Sequence, residues 1–295
     1  MTSLSRIGAS LALLTLAAPA FAASAKAEKP VAVGYTMPAT ATWDMTSDSG
    51  EVYRIFVSYP EKGEPPAGGY PVLYILDGNA IFGGFAETRR LLAMMETPDI
   101  GKSIVVGVGY PTQDAYDMRR LYDFTGGPPP PPWDVDFKEQ RSGGWDKFRD
   151  FLTGKLRMEI GQRYKINPQR QALFGHSLGG LFAIHTLFSR PNAFHAIIAA
   201  SPSLFWDKSM LEQERNFVAG LQSGAVTSPS RLLVVSGELE ETALERWDAE
   251  AFAKRMEPLS AYGLRLQSHV YAGEGHITVP IRSVSDTLRF AFSWP

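Results

Sequence analysis

Apolar and polar residues alternate along this chain in two distinct ways. Glu51–Tyr59 (EVYRIFVSY) has the two-residue period of a half-buried antiparallel strand. Tyr70–Leu76, Ser103–Gly109, Gln171–Phe174, Ala196–Ala200, Arg231–Ser236 and Leu264–Tyr271 are short, mostly continuous apolar runs, as expected of strands covered on both faces. Between them, helical spacing runs over Gly84–Met95, Trp145–Tyr164, Leu178–Phe188, Lys208–Leu221, Glu241–Tyr262 and Ile281–Phe292. Strand, helix, strand in repeated order predicts a three-layer α/β domain: a mostly parallel central sheet, antiparallel N-terminal edge strands, and helices on both faces. One connection, 110–144, is far longer than such a fold needs. It carries Gly126-Gly127, the proline run Pro128–Pro132, Trp133 and Ser142-Gly143-Gly144. A proline run is stiff and extended, so this loop is expected to form an active-site rim; the competing reading is a solvated surface excursion.

The first residues follow neither pattern. Arg6 precedes an apolar run, Ile7–Ala20, that is interrupted by Gly8 and Pro19 and is shorter than the roughly 20 residues of a spanning helix. Ala20-Phe21-Ala22 supplies a small-x-small cleavage pattern, and Ala23-Ser24-Ala25 a second one. Residues 1–22 are therefore expected to be a signal peptide, cut as late as 25, ahead of one domain over 26–295. The mature chain would be periplasmic in a Gram-negative cell, or secreted, with no membrane anchor. The competing reading is an N-terminal helix of a cytoplasmic protein.

Composition narrows the chemistry. With 29 basic and 31 acidic side chains the net charge is -2, so no positive surplus exists to hold a nucleic acid or an anionic membrane. The absence of cysteine removes disulfides, thiolate metal sites and a thiol nucleophile together. Chemistry must come from oxygen and imidazole.

The segment Gly175-His176-Ser177-Leu178-Gly179 follows an apolar strand and opens a helical pattern. Such a sharp turn holds a serine hydroxyl clear of the backbone, and Gly175 and Gly179 are expected where a side chain would collide with the adjoining strand or helix. Ser177 is the predicted nucleophile, and the N–H of Leu178, at the start of the helix, the predicted oxyanion donor. The bland alternative is a serine that only caps a helix. Of five histidines, His176 adjoins the serine in sequence, His185 lies along the following helix, and His195 and His269 fall on strands. His276 sits on a glycine-flanked loop, Gly273-Glu274-Gly275-His276, beyond the last strand, in the chain order serine then histidine. It is the predicted general base and acid; the alternative is a histidine that caps the final helix. For the acid that orients it, Glu238, Glu240 and Glu241 compete on one loop after Arg231–Ser236, and Glu240 is the choice. Leu76-Asp77-Gly78-Asn79 is either a plain Asp-Gly turn or the source of a second oxyanion donor, the N–H of Asn79.

These blocks, together with Arg119-Arg120-Leu121-Tyr122-Asp123-Phe124-Thr125, Arg163-Tyr164-Lys165-Ile166 and Ser201-Pro202-Ser203-Leu204-Phe205-Trp206, resemble the “putative esterase” family of α/β-hydrolases over nearly all of the mature chain. That group contains the enterochelin (catecholate siderophore) esterases, the S-formylglutathione hydrolases of the esterase D-like branch, and the mycolyltransferases. The siderophore-esterase branch is the most similar. The resemblance implies an α/β-hydrolase fold, Ser177 as nucleophile, His276 as base, Leu178 and Asn79 as oxyanion donors and Glu240 as acid, although some exported members of the branch run on a dyad. It also implies that Arg119 or Arg120 faces the substrate, through catecholate oxygens or ring stacking; the alternative is pairing with Asp117 or Asp123. Trp206 and Trp133 are expected aromatic walls, with a core role as the alternative for Trp206.

The expected function is an exported serine esterase that needs no metal or organic cofactor. Its partner is a small-molecule ester, a catecholate siderophore lactone or a related aromatic ester. Rival readings are a feruloyl or acetyl carbohydrate esterase, an acyltransferase on the same fold, and a binding protein that has lost catalysis. The sequence sets no oligomeric state.

Overall fold

In a computed structural model, residues 35–94, 98–132, 134–227, 229–240 and 248–292 are described. The expected signal peptide, Trp133 and Glu241 lie outside them. Eight strands form one sheet: β1 (Thr40–Thr46), β2 (Val52–Ser58), β3 (Tyr70–Leu76), β4 (Ile104–Gly109), β5 (Ile166–His176), β6 (Ala196–Ala200), β7 (Arg231–Gly237) and β8 (Leu266–Tyr271). Their order is β1-β2-β4-β3-β5-β6-β7-β8. β1 with β2 and β2 with β4 are antiparallel, and every other pair is parallel. This is the expected architecture, an α/β-hydrolase sheet with an antiparallel N-terminal edge.

The continuous apolar runs arise because the sheet is covered twice. Along β3, Val72, Tyr74 and Leu76 enter one core, and Leu73 and Ile75 enter the other. On the second face lie α1 (Gly78–Leu92), the short α2 (Pro98–Gly101) and, at the end of the chain, α10 (Val279–Arg282) with α11 (Val284–Phe292). The first face carries α3 (Arg120–Phe124), α5 (Trp145–Phe151), α6 (Arg157–Arg163), α7 (Leu178–Ser189), α8 (Met210–Gln222) and α9 (Ala249–Met256). A single wide turn, Leu152–Leu156, joins α5 to α6, so Trp145–Tyr164 is helical almost throughout, as its spacing predicts.

Three departures from the pattern have physical reasons. β1 is half exposed, with Trp43 and Met45 on the inner side and Thr42, Asp44 and Thr46 outward, so its short edge carries little apolar signal. β5 begins five residues before the expected Gln171, because its start, Asn167-Pro168-Gln169, half-buried and then exposed, is too polar to read as a strand. α1 starts six residues before the expected Gly84, immediately after Asp77, whose left-handed φ of 52° ends β3 abruptly. The expected helix over Glu241–Tyr262 is α9 followed by a 3-10 segment, Glu257–Tyr262; the start at Glu241 is outside the described residues.

The long connection is anchored rather than free. Asp123 of α3 is fully buried and accepts hydrogen bonds from the Tyr53 hydroxyl of β2 at 2.8 Å and the Tyr110 hydroxyl at 3.0 Å. A second short helix, α4 (Asp134–Phe137), follows the proline run.

Buried ionisable groups set the acid stability. Burial lowers the pKa of His195 to about 4 and that of His176 to about 3, against an unfolded value near 6.5. The unfolded chain therefore takes up protons that the fold refuses. Both contributions are complete above about pH 6.5 and are lost as pH falls toward those values. Asp123 acts in the opposite sense, since burial raises its pKa to about 6 and the fold prefers it protonated. Burial lowers the pKa of His185 as well, and three histidines outweigh one carboxyl, so the thermal midpoint is expected to fall between pH 6.5 and pH 4. His195→Gln, compared with wild type at pH 7 and pH 4.5, should reduce that fall; an unchanged pH dependence would contradict the assignment.

Candidate active site

β5 ends in a sharp turn at Ser177. Ser177 has φ 59° and ψ -118°, a conformation L-residues avoid, and the strain persists because its surroundings fix it. The Ser177 N–H donates to the Ala200 carbonyl at 3.0 Å, and the Ser177 carbonyl accepts from the N–H groups of Leu181 and Ser203. A Cβ on Gly175 would lie 1.9 Å from the Gly179 carbonyl oxygen, so no side chain fits there. The expectation for Gly179 is corrected: a Cβ there would make only ordinary contacts, at 3.5 Å and beyond. The second close approach is at Gly180, where a Cβ would lie 2.9 Å from Pro202 Cα as α7 crosses the loop after β6.

Beside this turn lies a cavity of about 780 Å³ at the carboxyl ends of the parallel strands, lined by Ser177, Leu178 and His276 together. His276 Nδ1 lies 3.2 Å from Glu240 Oε2, which assigns the ring proton to Nδ1 and leaves Nε2 as the basic nitrogen. Oε1 of Glu240 accepts from the Ser201 hydroxyl at 2.5 Å and from the Gly237 N–H at 2.6 Å. Burial pushes the Glu240 pKa up, but the hydrogen bonds from His276, Ser201 and Gly237 outweigh it and hold the carboxyl below the usual range. Glu238 lines the same cavity, but its carboxylate accepts from the Gly273 N–H at 2.9 Å and makes no bond to His276.

The serine hydroxyl is hydrogen-bonded to Ser203 Oγ at 3.2 Å rather than to His276. Sequence reasoning missed Ser201 and Ser203 as site residues, although both belong to the Ser-Pro-Ser block. Each hydroxyl of that block touches one member of the Ser177, His276, Glu240 set. Leu178 is the first residue of α7, and its N–H has no acceptor within the helix.

The other expectations divide. Trp206 lines the cavity beside Phe205 while packing into the core, and its ring lies 5.8 Å from that of Phe137. Arg120 also lines the cavity and makes a two-point ion pair with Asp77, at 2.9 and 3.0 Å. Burial works against its charge, and the Asp77 carboxylate more than compensates, raising its pKa. Arg119 does not line the cavity. Its guanidinium donates to the Val52 carbonyl at 2.6 Å, lies 3.5 Å from Asp123, and stacks over Tyr53 and Tyr110 at 4.5 and 4.6 Å. Consecutive residues on a helix point in different directions, so only one of the two arginines can face the cleft. Asn79 is likewise absent from the cavity lining, and its side chain spans to Tyr110 and Thr112. The proline run supplies none of the wall; Tyr116, Met118, Arg120, Leu121 and Phe137 of the long connection do.

A family model described as “Putative esterase” matches residues 47–279, more than half of the chain. The chain belongs to this family. Among curated relatives of this esterase, the ferri-bacillibactin esterase BesA of Bacillus subtilis is 36% identical over 87% of the chain and 91% of its own length. A siderophore enterobactin esterase of Emericella nidulans is 33% identical over 73% of the chain and 75% of its own. Among solved structures, the BES protein of Bacillus cereus superposes with a TM-score of 0.80 at 32% identity, covering 90% of this chain and 100% of that one. The chain is a carboxylic ester hydrolase of the α/β-hydrolase fold that acts on small-molecule esters.

The two neighbouring arginines should separate in experiment. Arg119→Ala is expected to cost about 1–3 kcal/mol of stability by removing a half-buried charged hydrogen bond and two ring contacts, with KM unchanged. Arg120→Ala should raise KM. Urea unfolding and steady-state kinetics on one ester check both; a raised KM for Arg119→Ala with normal stability would reverse the assignment.

Proposed function

We propose that this esterase uses Ser177, His276 and Glu240 as a triad to hydrolyse siderophore esters, with catecholate lactones or related aromatic esters as its substrates. The observation that carries the mechanism is the shared cavity: a strained serine and an imidazole whose Nδ1 faces a carboxylate line one cleft. In the first half-reaction Ser177 Oγ attacks the ester carbonyl as His276 Nε2 takes its proton. Glu240 stabilises the imidazolium from the Nδ1 side. The developing oxyanion lies at the positive end of α7 and is held by the Leu178 N–H, with the Asn79 N–H as the proposed second donor. His276 then returns the proton to the leaving alcohol, and water repeats the sequence on the acyl-enzyme.

The reaction requires the Ser177 hydroxyl to leave Ser203 and turn to His276. Hydrogen bonds at resting sites commonly tighten only when substrate binds.

Two features support the substrate class. Phe137, Phe205 and Trp206 give the cavity an aromatic wall, and Arg120 gives it a cation beside it. The named activities of the similar proteins, on bacillibactin and enterobactin, agree with that chemistry. We also propose export, on the strength of the N-terminal apolar run and its small-residue cut sites; cell fractionation with detection of a shortened chain tests it.

Ser177→Ala should abolish hydrolysis of a catechol trilactone, and Glu240→Gln should lower kcat by roughly 10⁴-fold, the loss seen when a triad acid is replaced by its amide. Enterobactin, free and iron-loaded, and methyl ferulate are the discriminating substrates. Cleavage of enterobactin supports the proposal, whereas cleavage of ferulate alone removes the siderophore assignment.

A further inference from the structure

The residue immediately before the nucleophile has no part in the chemistry above, yet it makes a bond that bears on it. His176 is buried, 4% exposed, and does not line the cavity. Its Nε2 lies 2.8 Å from the main-chain carbonyl oxygen of His276, a contact that joins residues one hundred positions apart. A carbonyl only accepts, so His176 donates, and its tautomer is fixed with the proton on Nε2. The two imidazole rings lie 4.7 Å apart, tilted by 45°.

The loop around His276 needs such a tie. Ala272, Gly273, Ile277 and Thr278 are exposed, and Gly273 takes a φ of 72°. The other hydrogen bonds of this loop among the described residues are local, from the Glu274 N–H to the Tyr271 carbonyl and between Gly275 and Thr278 or Val279, or run to the β7 side, from the Leu239 N–H to the Glu274 carbonyl and from the Gly273 N–H to Glu238. Glu240 also holds His276 from that side. Among the described residues, the His176 bond is the one hydrogen bond that runs from the nucleophile's own turn to the loop of the base. Without it, the separation of Ser177 and His276 would depend on the relative placement of β5 and β8, which lies three strands away in the sheet.

We propose that His176 is a positioning residue, whose hydrogen bond to the His276 carbonyl fixes the imidazole of His276 at working distance from Ser177. The proposal rests on the reading of Ser177 and His276 as nucleophile and base. Proton transfer tolerates little displacement, and a shift of about 1 Å can cost about 10²-fold in rate. Burial, with the neighbouring His276 as a lesser cause, lowers the His176 pKa to about 3, so the donor stays neutral and the bond persists across the working pH range.

Four variants of the full chain test this, with kcat and KM measured on a p-nitrophenyl ester and thermal midpoints recorded. His176→Leu removes the donor. His176→Gln puts an amide N–H where Nε2 was, and His176→Asn carries the same amide one carbon short of it. Ser177→Ala is the control for the underlying reading. The expected result is a kcat lowered about 10- to 100-fold in His176→Leu and His176→Asn, with KM held within about two-fold, since His176 touches no substrate. His176→Gln should recover most of the loss. If His176→Leu fails to fold, the Gln and Asn pair decides by reach alone. Equal kcat in the Gln and Asn variants, or a wild-type kcat in His176→Leu while Ser177→Ala is inactive, would overturn the tie and leave the catalytic reading standing. Activity retained in Ser177→Ala would overturn both.

Discussion

The site depends on one close approach between backbones. Where β5 meets α7, the carbonyl of Gly179 occupies the space that a Cβ on Gly175 would need. Only this clearance lets the chain reverse within a single residue, and that residue is forced to a positive φ at Ser177. Cost and benefit are located together: a strained serine is destabilising by about 1–3 kcal/mol, and the same turn brings Ser177 and Leu178 to the wall of the cleft. The backbone bonds to Ala200 and Ser203 keep the strain from relaxing, so the loop after β6 is part of the elbow although it is distant in sequence.

From that fixed point the remaining groups arrive on separate strand ends. β6 contributes Ser201 and Ser203, β7 leads to Glu240, and β8 leads to His276. A parallel sheet brings all its carboxyl ends to one edge, which is why residues from four connections can converge without any of them being close along the chain. The long connection between β4 and β5 closes the cleft from the other side. It is anchored by Asp123 between two tyrosine hydroxyls, and presents Arg120 and Phe137 to the cavity.

Much of this arrangement was legible in the sequence, for reasons that also explain where legibility stopped. Of the seven expected strands, β3–β7 are seen because double coverage makes them continuously apolar and β2 by its two-residue alternation; β8, at one edge, is mostly exposed, and β1, at the other, is half exposed and has no such signature. The glycine-serine-glycine spacing and the glycine-flanked His276 record backbone constraints, and those are local enough to read. Glu240 was separable from Glu238 by its place on the loop, and the two carboxylates bind different partners. Side-chain direction was not legible. Arg119 and Arg120 are identical in type and adjacent, and only the packing of α3 against Tyr53 and Tyr110 sends one inward and the other to the cleft. The hydroxyls of Ser201 and Ser203, and the donor on His176, act through distances of about a hydrogen bond to residues far along the chain, and no spacing rule announces them.

The account stands on Ser177 and His276 acting as a pair, and active-site labelling measures that directly. A fluorophosphonate is added to the full-length protein and to His276→Ala, the modified residue is mapped by mass spectrometry, and the inactivation rate is followed in each. The account predicts a single adduct on Ser177 whose formation slows by at least about 10³-fold when the imidazole is removed. An adduct on another serine, or Ser177 labelled at the same rate in both proteins, would contradict it.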